Sequence, residues 1–180
     1  MKKSFIKRGI FTGLIAVLVL LVGCGYKPSS HYIRNVFDDT VYVDVVVAPD
    51  EPENAVYVKD ALHRMVITRF GGRVVPKAQA ESLITASYNG TSFSPVSYDS
   101  NGYITRYRAT IRMRFELTRK KGKGFKRNIS STVEENIGAS STLSSALRIQ
   151  AIRVGMARAL DQFLAYAAAE GVLREEKAKK

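Results

Sequence analysis

The clearest hydrophobic pattern in the chain is an alternation. From Tyr103 to Leu117 the odd positions are Tyr103, Thr105, Tyr107, Ala109, Ile111, Met113, Phe115 and Leu117, whereas the even ones include Arg106, Arg108, Arg112, Arg114 and Glu116. A period of two belongs to a strand with one face in a core and one in water, so this segment predicts a strand with an oily side and a basic side. Residues 41–47 (VYVDVVV) are densely β-branched and read as an earlier strand, stopped by Pro49-Asp50-Glu51-Pro52. Asp50, Glu51 and Glu53 then suit the positive end of a helix dipole, and Val58, Leu62, Met65 and Val66 share one helical face over 53–70, with Gly71-Gly72 closing the element.

A strand follows over 83–93 with an irregularity at Asn89-Gly90, and Tyr98 to Gly102 supplies a turn. Arg119-Lys120-Lys121-Gly122-Lys123-Gly124 reads as a hairpin turn, and 125–137 returns with Phe125, Ile129, Val133 and Ile137 pointing one way. After a loop at 138–142, Ile149, Ile152, Met156, Leu160, Phe163 and Ala167 recur every three or four residues, with Gln150, Arg158 and Asp161 opposite. That spacing predicts an amphipathic helix over 143–169, ended by Gly171 and a frayed charged tail. The expected fold is α+β: a two-layer sandwich in the order β-α-β-β-β-α, with two helices on one face of a mostly antiparallel four-stranded sheet. The arginines then point from the uncovered face.

The start of the chain has a different pattern. Residues 1–8 carry Lys2, Lys3, Lys7 and Arg8, and 9–22 form an uncharged apolar run ending at Gly23-Cys24. A membrane-spanning helix needs about 20 apolar residues, so this run fits a signal-peptide core better than a span. Leu21-Val22-Gly23-Cys24 matches the bacterial lipobox, which makes Cys24 the candidate acylated residue. The expected organisation is a signal peptide over 1–23, a lipidated N-terminus and tether over 24–40, one sandwich domain over 41–170, and a charged tail over 171–180. Gly25 follows the cysteine where an Asp would resemble an inner-membrane retention signal, which favours the outer membrane, on its periplasmic side.

The chain of 180 residues is 46% hydrophobic, as expected of a globular domain, and carries a net charge of +12. Four of its 28 basic residues lie in the export segment, so the rest keeps +8. Such a balance usually implies nucleic acid, but an exported chain does not meet it, and anionic lipid or a polar protein surface becomes the expected partner. Cys24 is the only cysteine, which leaves no intrachain disulfide and an odd thiol that acylation explains.

Catalysis is not indicated. The two histidines are His31 in the tether and His63 on the first helix, and neither has a nucleophile or metal-ligand pattern around it. Gly71-Gly72 and Gly122-Lys123-Gly124 belong to no phosphate-cradling motif, and Glu134-Glu135 read as solvated strand residues. No metal or cofactor is expected. The one constellation pointing to a ligand is the basic row of Arg106, Arg108, Arg112 and Arg114, spaced two or four residues apart on one strand and extended by Lys120, Lys121 and Lys123. Guanidinium forks match phosphate oxygens in pairs, so the row suits a ligand bearing several phosphates; a solvent-facing strand kept soluble by charge accounts for the pattern equally well.

The lipobox running into Cys24-Gly25-Tyr26, the strand ending near Ala48-Pro49, the segment Arg114-Phe115-Glu116-Leu117 and the C-terminal helix with Ala146-Leu147-Arg148 together make the chain resemble the LptE family of lipopolysaccharide-assembly lipoproteins. The resemblance implies a complex with the outer-membrane β-barrel LptD, in which the protein plugs the lumen and helps deliver lipopolysaccharide. It also implies lipopolysaccharide binding by basic residues of the sheet and its loops. The alternative is an adaptor lipoprotein of another envelope export complex, whose arginines merely solvate the sheet or dock on an acidic protein.

Overall fold

The computed structural model describes residues 36–46, 52–137 and 143–178. Its elements are β1 (Thr40–Val46), α1 (Pro52–Met65), β2 (Arg73–Val74), β3 (Ser82–Tyr98), β4 (Ile104–Arg119), β5 (Phe125–Asn136) and α2 (Ser145–Ala178). The lipobox, His31, the Pro49-Asp50-Glu51 stop and the 138–142 loop lie outside the described residues.

The sheet departs from expectation in one respect. It is a mixed five-stranded sheet in the order β2-β1-β3-β4-β5, not a mostly antiparallel four-stranded one. β1 pairs in parallel with both β2 and β3, while β3, β4 and β5 form an antiparallel meander. The two-residue β2 was invisible to periodicity because it is too short to show any. Its pairing follows from α1, which carries the chain back along the sheet so that β1 and β3 run the same way. α1 passes into a π-helical turn over Val66–Phe70, and Gly71 closes it with φ of 66°, a left-handed conformation that costs glycine nothing.

The alternation of β4 survives intact. Ala109, Ile111, Met113, Phe115 and Leu117 are buried, and Arg106, Arg108, Arg112 and Arg114 are exposed on the other face. Tyr103 departs from the pattern; it lies in the turn beyond the strand and is exposed. β3 keeps its core residues only by changing parity. Ile84, Ala86 and Tyr88 face the helices at even positions, and Phe93 packs against the same core at an odd one. The switch occurs where Asn89 and Gly90 together oppose Arg112, a bulge in which Gly90 has φ of 91°.

α2 covers the meander. At 34 residues it starts at Ser145, two residues later than expected, and runs well past the expected C-terminal end, because Gly171 stays buried within the helix and Arg174 pairs with Glu170 one turn earlier, so the tail is helical rather than frayed. The Ser144 hydroxyl accepts from the Leu147 amide and caps its start. Ala151, Met156, Ala159, Leu160, Phe163 and Ala167 form its buried stripe, whereas Ile149, expected in the core, is 44% exposed near the helix start. Phe163 stacks on Phe115 with centroids 4.5 Å apart and meets Phe37 edge-on, while Phe37 stacks on Phe70 at 4.1 Å. Val36 and Phe37, which patterning left in the tether, are thus core residues.

Helix and sheet come closest at Gly155. Its carbonyl accepts the hydroxyl of buried Ser131 at 2.6 Å, and a Cβ at Gly155 would overlap the Ile111 side chain. Gly155→Ala gains helix propensity of about 1 kcal/mol but forces the helix from the sheet, a strain of about 1–3 kcal/mol, so net destabilisation of about 1 kcal/mol is expected in urea unfolding. Pairing it with Ile111→Val, which vacates the overlapped space, is expected to restore part of the loss; an unchanged or raised midpoint for Gly155→Ala alone contradicts this packing.

Candidate functional site: the open face of the sheet

Because both helices lie on one side, the even positions of β4 and β5 form an uncovered surface. Its neighbours are set by register. Arg114 lies between Ser87 and Asn128, Arg112 opposite Ser130, and Arg108 between Ser94 and Glu134. The surface around the arginines is therefore rich in hydroxyls and amides, and its side chains decide how free each guanidinium is.

The four arginines fall into two pairs. Arg108 makes a two-pronged contact with Glu134 at 2.8 and 3.1 Å, and Arg106 reaches the same carboxylate at 3.5 Å and the Asn136 amide oxygen at 3.1 Å. Glu134, read from the sequence as merely solvated, is thus an ion-pair partner, and Arg108 above all holds its carboxyl below the usual glutamate range. Arg112 and Arg114 have only neutral partners among the described residues. Arg112 donates to the Ser92 hydroxyl at 3.4 Å, and Arg114 donates to the Asn128 amide oxygen at 3.0 Å. Ser92 faces Arg112 because the Asn89-Gly90 bulge shifts the parity of β3.

The lysines are set apart. Lys120, Lys121 and Lys123 are exposed in the β4–β5 turn, about 20 Å along the strand from Arg114 at about 3.3 Å per residue. Lys120 reaches back to the Ala78 carbonyl at 3.5 Å. The arginines and lysines expected as one row are therefore two clusters. His63 lies on α1, and among the described residues no group of three or more metal-ligating side chains comes together.

A fifth arginine does structural work that sequence reasoning missed. Arg119 grips Asp38 through two of its guanidinium nitrogens, Nε at 3.0 Å and Nη2, and Asp38 in turn accepts the Ser82 hydroxyl at 2.7 Å. The lock fixes where the N-terminal segment joins the fold. Asp38 lies before the first recognisable strand and 81 residues from Arg119, so no local signal could pair them.

Compared with known families, residues 39–167 match the model of the LptE lipopolysaccharide-assembly family. The chain belongs to the LptE family. No curated protein matches the sequence. Among solved structures, the fold resembles that of uncharacterized lipoprotein B from Nitrosomonas europaea, at 17% identity and a TM-score of 0.56 over 79% of this chain and 91% of that one. A Caulobacter crescentus chain described as a lipoprotein gives 12% identity and a TM-score of 0.50 over 80% of this chain and 96% of that one. At these identities the likeness concerns the fold alone. LptE-family proteins are outer-membrane lipoproteins of lipopolysaccharide assembly rather than enzymes. No helix among the described residues is long and apolar enough to cross a membrane.

The Asp38–Arg119 pair makes a testable contribution to stability. Its hydrogen bond to Arg119 lowers the Asp38 pKa below the ordinary aspartate value, so the contribution is present above that value and is lost as pH falls through the lower folded one. Asp38→Asn is expected to cost about 2 kcal/mol at pH 7, the range for a hydrogen bond to a charged group. In urea unfolding the gap between the two proteins is expected to narrow as pH falls below about 4, where the unfolded carboxyl is protonated; a gap independent of pH contradicts the assignment.

Proposed function

We propose that this LptE-family protein is anchored through an acylated Cys24 to the periplasmic side of the outer membrane, plugs the lumen of an LptD-like β-barrel, and binds lipopolysaccharide phosphates on its open sheet face. The observation that carries the reading is the pair Arg112 and Arg114: two exposed guanidiniums on a family-matched fold, each hydrogen-bonded to a neutral side chain, while the nearby Glu116 carboxylate pairs with Lys126.

The chemistry follows from that environment. A guanidinium presents two parallel N–H donors to two phosphate oxygens, and its weak hydration makes the exchange of water for phosphate inexpensive. Arg112 and Arg114 lie about 7 Å apart along the strand, so both can engage neighbouring phosphates of one headgroup. Ser87, Ser92, Asn128 and Ser130 around them offer hydrogen-bond partners for sugar hydroxyls. Arg106 and Arg108 must first release Glu134, which gives them the lesser share. For a barrel plug, the hydroxyl-lined face also suits contact with a polar lumen.

An adaptor role in another envelope complex is the alternative, and two measurements separate them. Detergent extracts of native membranes are expected to yield a one-to-one complex with a large outer-membrane barrel; recovery of the lipoprotein alone counts against the plug. Purified protein is expected to bind lipopolysaccharide in a salt-sensitive manner. Replacing Arg112 and Arg114 together with Ala is expected to weaken that binding roughly tenfold or more, at about 1 kcal/mol per basic contact, while Arg153→Ala on α2 leaves it unchanged. Equal loss from both changes removes the open face from the account.

A further inference from the structure

The two ends of the long β3–β4 hairpin differ in kind. One end is the turn after β3, with Tyr98 and Tyr103 each 59% exposed. The other gathers the β4–β5 turn and the short 3₁₀ turn Lys77–Gln79, joined by the Lys120 amide donating to the Glu81 carbonyl at 2.8 Å. This end exposes Arg73, Lys77, Lys120, Lys121 and Lys123 against Asp39 and Glu81. Its other ion pairs, Arg119 with Asp38 and Lys126 with Glu116, cancel. Beyond Tyr166, which packs on Phe125, α2 continues toward this end with charges of both signs: Glu170 paired with Arg174, then Glu175, Glu176 and Lys177.

The N-terminal segment joins the fold at this same end. The Asp38 amide donates to Ser82 and its carboxylate is held by Arg119, while Ser82 and Arg119 are register partners at the foot of β3 and β4. Eleven residues lie between Cys24 and Val36, and they add Lys27 and Arg34 without an acid. A stretch of that length spans at most about 40 Å. The tyrosine end is about 50 Å further along the sheet, the length of a 16-residue strand.

We propose that, when the protein is not seated in a barrel, the end bearing Lys77, Lys120, Lys121 and Lys123 rests on the anionic phospholipid headgroups of the leaflet that holds the anchor, so that the domain stands upright with its tyrosine-bearing turn directed away from the bilayer. The inference rests on the reading of Cys24 as acylated and is separate from lipopolysaccharide binding by the arginines. Acyl chain and basic cluster then act as two signals at one end: the chain supplies attachment, and the lysines supply orientation. Tethering also raises the local concentration of headgroups, so individually weak cationic contacts suffice.

The test uses the full-length protein purified from membranes, with its acyl group verified by mass spectrometry, in vesicles of phosphatidylcholine with or without phosphatidylglycerol. A fluorophore is placed at Ala78→Cys in the basic end or at Asn101→Cys in the far turn, and quenching by headgroup spin-labelled lipid is read. The 78 label is expected to be strongly quenched when phosphatidylglycerol is present, and at least several-fold less in its absence or in high salt. The 101 label is expected to stay unquenched throughout. Lys120→Gln with Lys121→Gln and Lys123→Gln is expected to abolish the lipid dependence at 78 while leaving the protein vesicle-bound. Equal quenching at both positions, or quenching indifferent to phosphatidylglycerol, overturns the orientation alone. An unmodified Cys24 overturns it together with the anchor.

Discussion

The structure depends on one-sided burial. A 16-residue strand such as β4 is about 50 Å long, and α2 at 34 residues has the same length, so one long helix with α1 beside it covers one face of the meander and nothing remains for the other. Burying a large apolar side chain stabilises by about 1.5–3 kcal/mol, and β4 places its Ile, Met, Phe and Leu residues on the covered side. The same alternation that builds the core therefore builds the open face. Its arginines stand in a line because the hydrophobic residues between them do.

That constraint explains why small features have large consequences for the candidate site. The Asn89-Gly90 bulge keeps Phe93 against the helix layer and at the same time turns Ser92 toward Arg112. Glu134, opposite Arg108 in register, neutralises one end of the arginine line and leaves the other end available. The absence of a side chain at Gly155 lets α2 sit close enough for Ser131 to bond its backbone, which seats the helix over the centre of the meander. The open face is thus tuned by residues that belong equally to the core.

The proposed function resides in surfaces rather than in a pocket. An arginine pair with neutral hydrogen-bond partners, a lysine-bearing turn at the end where the N-terminal segment joins, and a polar strand face are features suited to the proposed contacts with a phosphate-rich amphiphile, a membrane and a barrel wall. The family match rests on the whole sequence, and the proposed phosphate contact rests on the charge environment of individual side chains.

Much of this was legible in the residues themselves. The period-two pattern of 103–117 specified both the buried row and the basic face, since alternation is a local property of an extended chain. The helix stripes at Val58, Leu62 and Met65 and at Met156, Leu160 and Phe163, the glycine closing the first helix, the Asn89-Gly90 irregularity and the lysine turn are equally local. What required the tertiary structure was every relation between distant segments. The parallel pairing of β1, the two-residue β2, the burial of Val36 and Phe37, and the grip of Arg119 on Asp38 join residues tens of positions apart, and no periodicity encodes them. The division of the arginines followed the same rule: their common face was written in the strand's own pattern, but which of them met a carboxylate depended on the neighbouring strand's register.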